Sequence, residues 1–164
     1  MFGDTKVKNA EEVLRNWERL KRAEREGPEA ETSVLGGVPA HLPALLRARR
    51  VQEKAAQVGF DWARTEEIVA KVHEEVNEFL VALGARDREA TEEELGDLLF
   101  SIVNLARFLK ICPEESLRKT VGKFIERFRF IESELARQGI DPQTATLARM
   151  DELWDRAKQN EKTR

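Results

Sequence analysis

The feature that most constrains this chain is where its helix breakers stand. Most of the nine glycines and five prolines fall at a few joints, and the stretches between are dominated by Glu, Lys, Arg, Leu and Ala. These are strong helix formers. Tyrosine is absent, alternating β-branched runs are scarce, and no Asn-Gly or Asp-Gly turn sits between strand-like segments. The pattern predicts an all-α fold with six helical segments, over 9–26, 43–58, 65–83, 91–112, 113–138 and 144–159. Thr65 is the expected N-cap of the third. Thr91 with Glu94 reads as a capping box for the fourth. Gly59 and Gly84 are expected to stop the second and third, Pro113 to open the fifth, and Gly139 to sit just past its end.

Apolar residues recur at helical spacing in each segment. The first has a narrow stripe of Val13, Leu14, Trp17 and Leu20. The second offers Leu42, Leu45, Leu46, Val51, Ala55 and Val58, and the third Ile68, Val72, Val76, Phe79 and Leu83. The fourth carries Leu95, Leu98, Leu99, Ile102, Leu105 and Leu109. In the fifth, Leu117, Val121, Phe124, Phe128, Ile131 and Leu135 share one register, and the last carries Leu147, Met150, Leu153 and Trp154. The middle four segments are expected to form a four-helix-bundle-like core, with flanking N- and C-terminal helices. Residues 1–38 read as an N-terminal helix plus a linker around Gly36-Gly37, and 39–164 as the main helical domain.

Charge and cysteine content narrow the function. Charged residues make up 36% of the 164, yet the net charge is only −3, against about 25% charged in an ordinary globular domain. A polynucleotide binder carries a basic excess that this chain lacks. No apolar run approaches the roughly 18 residues of a membrane span, and the first residues do not read as a signal peptide. A single cysteine, Cys112, makes neither an internal disulfide nor a zinc cluster. These features predict a cytoplasmic protein.

Two acidic groups stand out. Glu74-Glu75 with Glu78 lies on the third segment, and Glu93-Glu94 with Asp97 on the fourth. A short connector makes the two helices antiparallel neighbours. At about 100° per residue, Glu75 falls roughly 60° and Glu78 roughly 120° from the centre of the apolar stripe, on one flank. Glu94 and Asp97 hold the matching position on the next helix, whereas Glu74 and Glu93 point further out. Four convergent carboxylates repel one another unless a cation sits among them. An all-oxygen donor set suits Mg²⁺, with Mn²⁺ as the alternative. Abundant surface glutamate competes with this reading, and for one such group alone it would prevail. Lys123 and Arg127, four apart on the fifth segment, repel each other mildly, and an anion between them would reverse that sign. Trp154 and Lys158 form a similar pair on the last segment. Metal-type carboxylates, cations and a flat ring together suggest a metal–nucleotide phosphate site. No GxxxxGK[ST] loop is present, and no Ser, Cys or His arrangement points to a covalent intermediate. His73 sits on a different face from Glu75 and Glu78.

With these residues in view, the chain resembles the MazG nucleoside triphosphate pyrophosphohydrolases of the all-α NTP pyrophosphatase superfamily. The resemblance rests on Val58-Gly59-Phe60-Asp61-Trp62, on Lys71-Val72-His73-Glu74-Glu75 with Glu78, and on Glu93-Glu94-Leu95-Gly96-Asp97-Leu98-Leu99-Phe100. Val103-Asn104-Leu105-Ala106-Arg107, Lys123 to Phe128, and Trp154 with Lys158 follow in order. It is strongest to the C-terminal half of tandem-domain MazG proteins. The resemblance implies a helical bundle that dimerises, with Glu75, Glu78, Glu94 and Asp97 as catalytic metal ligands. It implies nucleotide or phosphate contacts from Lys71, Glu74, Glu93, Lys123, Arg127, Trp154 and Lys158. Relatives can carry a lysine where this chain has Ala90, and Arg86 and Arg88 stand nearby. The implied reaction is Mg²⁺-dependent hydrolysis of an NTP or dNTP to NMP and pyrophosphate by a metal-activated water. A narrower dUTP, dCTP or phosphoribosyl-nucleotide pyrophosphatase, or an inactive helical interaction module, are the alternatives.

Overall fold

The computed structural model describes residues 33–162. The expected helix over 9–26, with Trp17, lies outside them, as does most of the 1–38 segment. The chain divides between Gly37 and Val38. On the near side of that division, residues 33–37 form a turn closed by Gly36 N–H donating to Ser33 O at 2.9 Å.

From Val38 on, the described residues form five helices: α1 (Ala44–Gln57), α2 (Thr65–Ala85), α3 (Arg88–Phe108), α4 (Pro113–Arg137) and α5 (Leu147–Lys162). All-α architecture is what the distribution of breakers demanded. Pro113 opens α4, where its missing N–H costs nothing. Gly59 (φ 92°) and Gly139 (φ 66°) take left-handed turns just past α1 and α4. Such turns are cheap for glycine and costly for residues bearing a Cβ.

The joint between α2 and α3 differs from its expected form. Helix α2 runs through Gly84 to Ala85, and Arg86 makes the left-handed turn at φ 57°. Helix α3 starts three residues before Thr91. Its N-cap is Asp87, whose carboxylate accepts from Ala90 N–H at 3.1 Å. Thr91 lies inside the first turn and donates its hydroxyl back to Asp87 O. The sequence placed the cap at Thr91; aspartate is among the strongest N-cap residues, and Asp87 holds the position instead. At the other end of this pair, Arg64 rather than Thr65 holds the N-cap position. Only two residues separate α2 from α3, so the helices are antiparallel neighbours along their length.

Helices α1, α3 and α4 touch one another, and α2 and α5 are each attached through a single partner. Helix α2 packs on α3, α3 on α1 and on α4, α1 on α4, and α4 on α5; α2 touches neither α4 nor α5. The best-buried apolar cluster lies at the α4–α5 end: Ile131 and Leu135 of α4 enclose Leu153 of α5, with Ile140, Ala145, Met150 and Trp154 against them. The C-terminal helix flanks the bundle, and it also supplies this core. Two longer-range polar contacts tie the rest. Gln52 of α1 is buried and donates from Nε2 to Phe100 O of α3 at 2.9 Å, while its Oε1 has no partner. Arg107, near the end of α3, pairs with Asp61 of the α1–α2 loop and donates to Asn104 Oδ1 at 2.9 Å. That guanidinium holds the Asp61 carboxyl below its usual range, and the backbone N–H of Trp62 adds to the effect.

Much of the apolar surface stays open. On α2 the buried line is Ile68, Glu75 and Ala82, spaced by seven. Val76 and Leu83, placed in the core stripe by the sequence, are exposed, together with Val69, Leu80 and Val81. The N-terminal half of the α4 stripe, Leu117, Val121, Phe124 and Phe128, is likewise exposed, and only its C-terminal half is roofed by α5. Val58, Phe60 and Trp62 are exposed around the α1–α2 turn.

Candidate active site

The α2–α3 hairpin concentrates carboxylates at one place. Glu75 is 5% exposed and faces α3 from the centre of the buried line of α2. Carboxylate oxygens of Glu75, Glu94 and Asp97 lie within 4.8 Å of one another, and so do those of Glu74, Glu75 and Glu78. Glu75 is common to both groups, so five acids meet around it. Four are those picked out by the helical wheel. The fifth, Glu74, was expected to point away, but a long side chain one residue from Glu75 reaches the same rim. Glu93 is exposed and lies in neither group, although its charge is felt at Glu94.

The electrostatics of the cluster are those of unneutralised like charge. Burial pushes the Glu94 carboxyl above its ordinary range, and the charges of Glu78, Asp97, Glu75 and Glu93 push it further. One cation offsets part of this. Lys71 Nζ lies 2.8 Å from Glu74 Oε1 and 2.6 Å from Glu75 Oε1. Those carboxylates, Glu74 first, raise the lysine above its ordinary range. One lysine does not balance five acids. The donors are all hard oxygens, drawn from both helices of a rigid hairpin. That set fits a hard divalent cation and offers nothing to a soft one.

A second group lies on α4 and α5. Arg127 stacks over the Trp154 ring at 5.2 Å, and that ring meets Phe124 at a centroid distance of 5.2 Å. Phe124 and Phe128 lie one turn apart with nearly parallel rings, 6.1 Å between centroids. Trp154 rests on the Ile131–Leu135–Leu153 core, so its position is fixed by packing. Both donor arms of the Arg127 fork are taken up by Glu161 of α5, Nε to Oε1 at 2.9 Å and a terminal nitrogen to Oε2 at 2.7 Å. The sequence reading missed Glu161, because the two residues are 34 apart and no local spacing links them. Lys123 is exposed one turn before Arg127, and Lys158 is exposed and pairs with Asp155 at 3.2 Å. The structure thus brings the expected residues together as two groups, a carboxylate group on α2–α3 and a basic and aromatic group on α4–α5. Within one chain, α2 does not touch the helices of the second group.

Fold and site together define an all-α domain with a carboxylate cluster on an antiparallel helix pair. Residues 64–130 match the MazG nucleotide pyrophosphohydrolase domain. The chain is 40% identical over 163 residues to a nucleoside triphosphate pyrophosphohydrolase of Escherichia coli K12, a match spanning 98% of this chain and 62% of that protein. It is 42% identical over 149 residues to the nucleoside triphosphate pyrophosphohydrolase/pyrophosphatase MazG of Thermotoga maritima, spanning 91% of this chain and 56% of that one. It is also 44% identical over 163 residues to the uncharacterized protein YabN of Bacillus subtilis, covering 99% of this chain and 33% of that protein. The chain is thus similar to the MazG nucleotide pyrophosphohydrolase domain over residues 64–130. It spans about three-fifths of the length of the two pyrophosphohydrolases it matches.

Proposed function

We propose that the chain is a Mg²⁺-dependent nucleoside triphosphate pyrophosphohydrolase that releases NMP and pyrophosphate. The observation that carries this reading is the meeting of Glu75, Glu94 and Asp97 on one helical hairpin within the residues that match the MazG domain. Glu75, Glu78, Glu94 and Asp97 would hold the cation. Bound there, a divalent ion neutralises polyphosphate charge and supplies a water of lowered pKa. The residues do the rest. An acidic side chain of the cluster, Glu75 or a neighbour, takes the proton of the water that attacks the α-phosphorus. Lys123 and Arg127 stabilise charge on the departing pyrophosphate. Lys71, Glu74 and Glu93 orient the nucleotide beside the metal, Trp154 stacks on its base, and Lys158 adds charge at the edge.

The working unit in this reading is the helical domain over 39–164, in the cytoplasm, as a homodimer. The exposed stripes of α2 and α4 support the dimer, since a lone chain leaves apolar surface of this extent to water at a cost. Among the described residues no helix is long and apolar enough to cross a membrane.

The test is hydrolysis of the eight common nucleoside triphosphates, dUTP and a phosphoribosyl nucleotide with Mg²⁺ or Mn²⁺, scored as pyrophosphate. Release by wild type, with a loss of at least a hundredfold in Glu78→Gln and in Asp97→Asn, is the expected result; on the order of 10²–10⁴ is lost when a group that stabilises the transition state is removed. Equally negligible release by all three proteins would end the enzyme reading. Activity that survived both substitutions would move the site elsewhere. Turnover confined to dUTP, dCTP or a phosphoribosyl nucleotide would select the narrower enzyme.

A further inference from the structure

Arg127 has an occupant. Its guanidinium carbon lies over the Trp154 ring, 5.2 Å from the centroid, its side chain is 20% exposed, and both oxygens of Glu161 pair with its Nε edge. A carboxylate bound through two parallel N–H···O contacts uses the geometry by which arginine also takes a phosphate. The pair joins α4 to α5 between residues 34 apart in sequence. Side-chain hydrogen bonding from Arg127 and the nearby charge of Lys123 hold its carboxyl below the usual range. One feature makes the contact displaceable: among the described residues α5 is held to the fold only through α4.

We infer that Glu161 is an internal competitor for the anion that Arg127 binds, a gate that a polyphosphate displaces and a single phosphate displaces poorly. The inference rests on the proposed phosphate-binding role of Arg127 and adds a competitor to it. Glu161 occupies one fork. A ligand with several phosphate groups can recover that loss through Lys123 and its other contacts, whereas a monophosphate has fewer contacts with which to do so. The gate thus raises the threshold for weak anions at the basic face.

The experiment uses the full chain in metal-free buffer at low ionic strength, so that the basic face is read apart from the carboxylate cluster. Inorganic pyrophosphate and inorganic phosphate are titrated calorimetrically into wild type, Glu161→Gln, Arg127→Ala, the double variant and Glu152→Gln. The last removes the same charge from the opposite face of α5. An exposed ion pair of this kind corresponds to about two- to fivefold in affinity. Glu161→Gln is therefore expected to bind both anions about two- to fivefold tighter, Glu152→Gln to show a clearly smaller change, and the double variant to match Arg127→Ala. Tightening no greater than in Glu152→Gln overturns the inference, and so does tightening that persists without Arg127. If Arg127→Ala binds pyrophosphate as well as wild type, the phosphate-binding role of Arg127 fails and the gate fails with it. Weakening by Arg127→Ala without a gain from Glu161→Gln leaves that role intact and removes the gate alone.

Discussion

Leu153→Ala probes the order of helix contacts directly. Leu153 is fully buried between Ile131 and Leu135, at the only contact that α5 makes with the other described helices. Three carbons are lost, and transfer at about 0.8 kcal/mol per methylene gives roughly 2–3 kcal/mol. The cavity that remains adds to this, and measured leucine-to-alanine costs in cores run to about 5 kcal/mol. We take about 3 kcal/mol. Sixteen residues of helix are marginal once detached from their support, so the whole cost falls on the docking of α5. At roughly tenfold per 1.4 kcal/mol, the detached population rises on the order of a hundredfold. Hydrogen exchange read by mass spectrometry resolves this by segment. Amides of α5 and of the C-terminal half of α4 should exchange on the order of a hundredfold faster, while those of α2 and α3 keep wild-type rates. Mn²⁺ binding, followed by its relaxation effect on water protons, should be retained, and pyrophosphate binding should weaken. If α2 and α5 accelerate together, the chain behaves as one cooperative block and the reasoning from the contact order is wrong. If neither accelerates, α5 is held by contacts outside those described.

Two further predictions concern buried and crowded polar groups. Glu94 has its carboxyl raised by burial and by neighbouring acids, so its protonated form is favoured more in the folded than in the unfolded protein. Its ionisation therefore opposes folding: the protein is relatively more stable below the unfolded value near 4.5, and loses that advantage as pH rises through the raised folded value. In metal-free buffer the melting temperature of Glu94→Gln should exceed that of wild type at pH 7, and the difference should shrink at pH 4; a pH-independent difference would count against like-charge crowding. Gln52→Met removes a buried amide with one bond made and one acceptor orphaned. Phe100 O remains the acceptor for the helical ladder of α3, so urea denaturation should show stability unchanged or raised by about 1 kcal/mol; a loss above about 1 kcal/mol would mean that Gln52 Oε1 is satisfied in solution.

Local signals in the sequence held at some joints and failed at others, and tertiary ones were less legible, for reasons visible at particular residues. Pro113 and Gly139 mark the ends of α4 because each acts through its own backbone geometry. The acidic groups were legible because helical spacing and a short connector suffice to bring them together. The wheel nevertheless put Glu75 at the edge of an apolar stripe, whereas Glu75 lies at the centre of the face that meets α3. A wheel finds the apolar face of a helix, but not which neighbour takes which face. On α2 the neighbour α3 takes the line of Ile68, Glu75 and Ala82, leaving Val76 and Leu83 exposed. The pairs Arg127–Glu161 and Arg107–Asp61 span 34 and 46 residues, and nothing in a one-dimensional pattern selects such partners. At the α2–α3 joint the sequence reading put the cap at Thr91, whereas Asp87, four residues earlier, holds it.

The hairpin that carries the acids also bears on how the chain acquires its shape. The pairing of α2 with α3 is between sequence neighbours joined by two residues, and such short-range pairings close fastest because little loop entropy is lost. The docking of α1 onto α4 spans a far longer stretch and comes later. The earliest element to assemble is therefore the one burdened by self-repulsion around Glu75. Helix α2 must bring Glu75 against Glu94 and Asp97 before the rest of the fold exists to hold them there. A divalent cation held there, as proposed, would lower the barrier as well as deepen the final minimum, and so hasten folding.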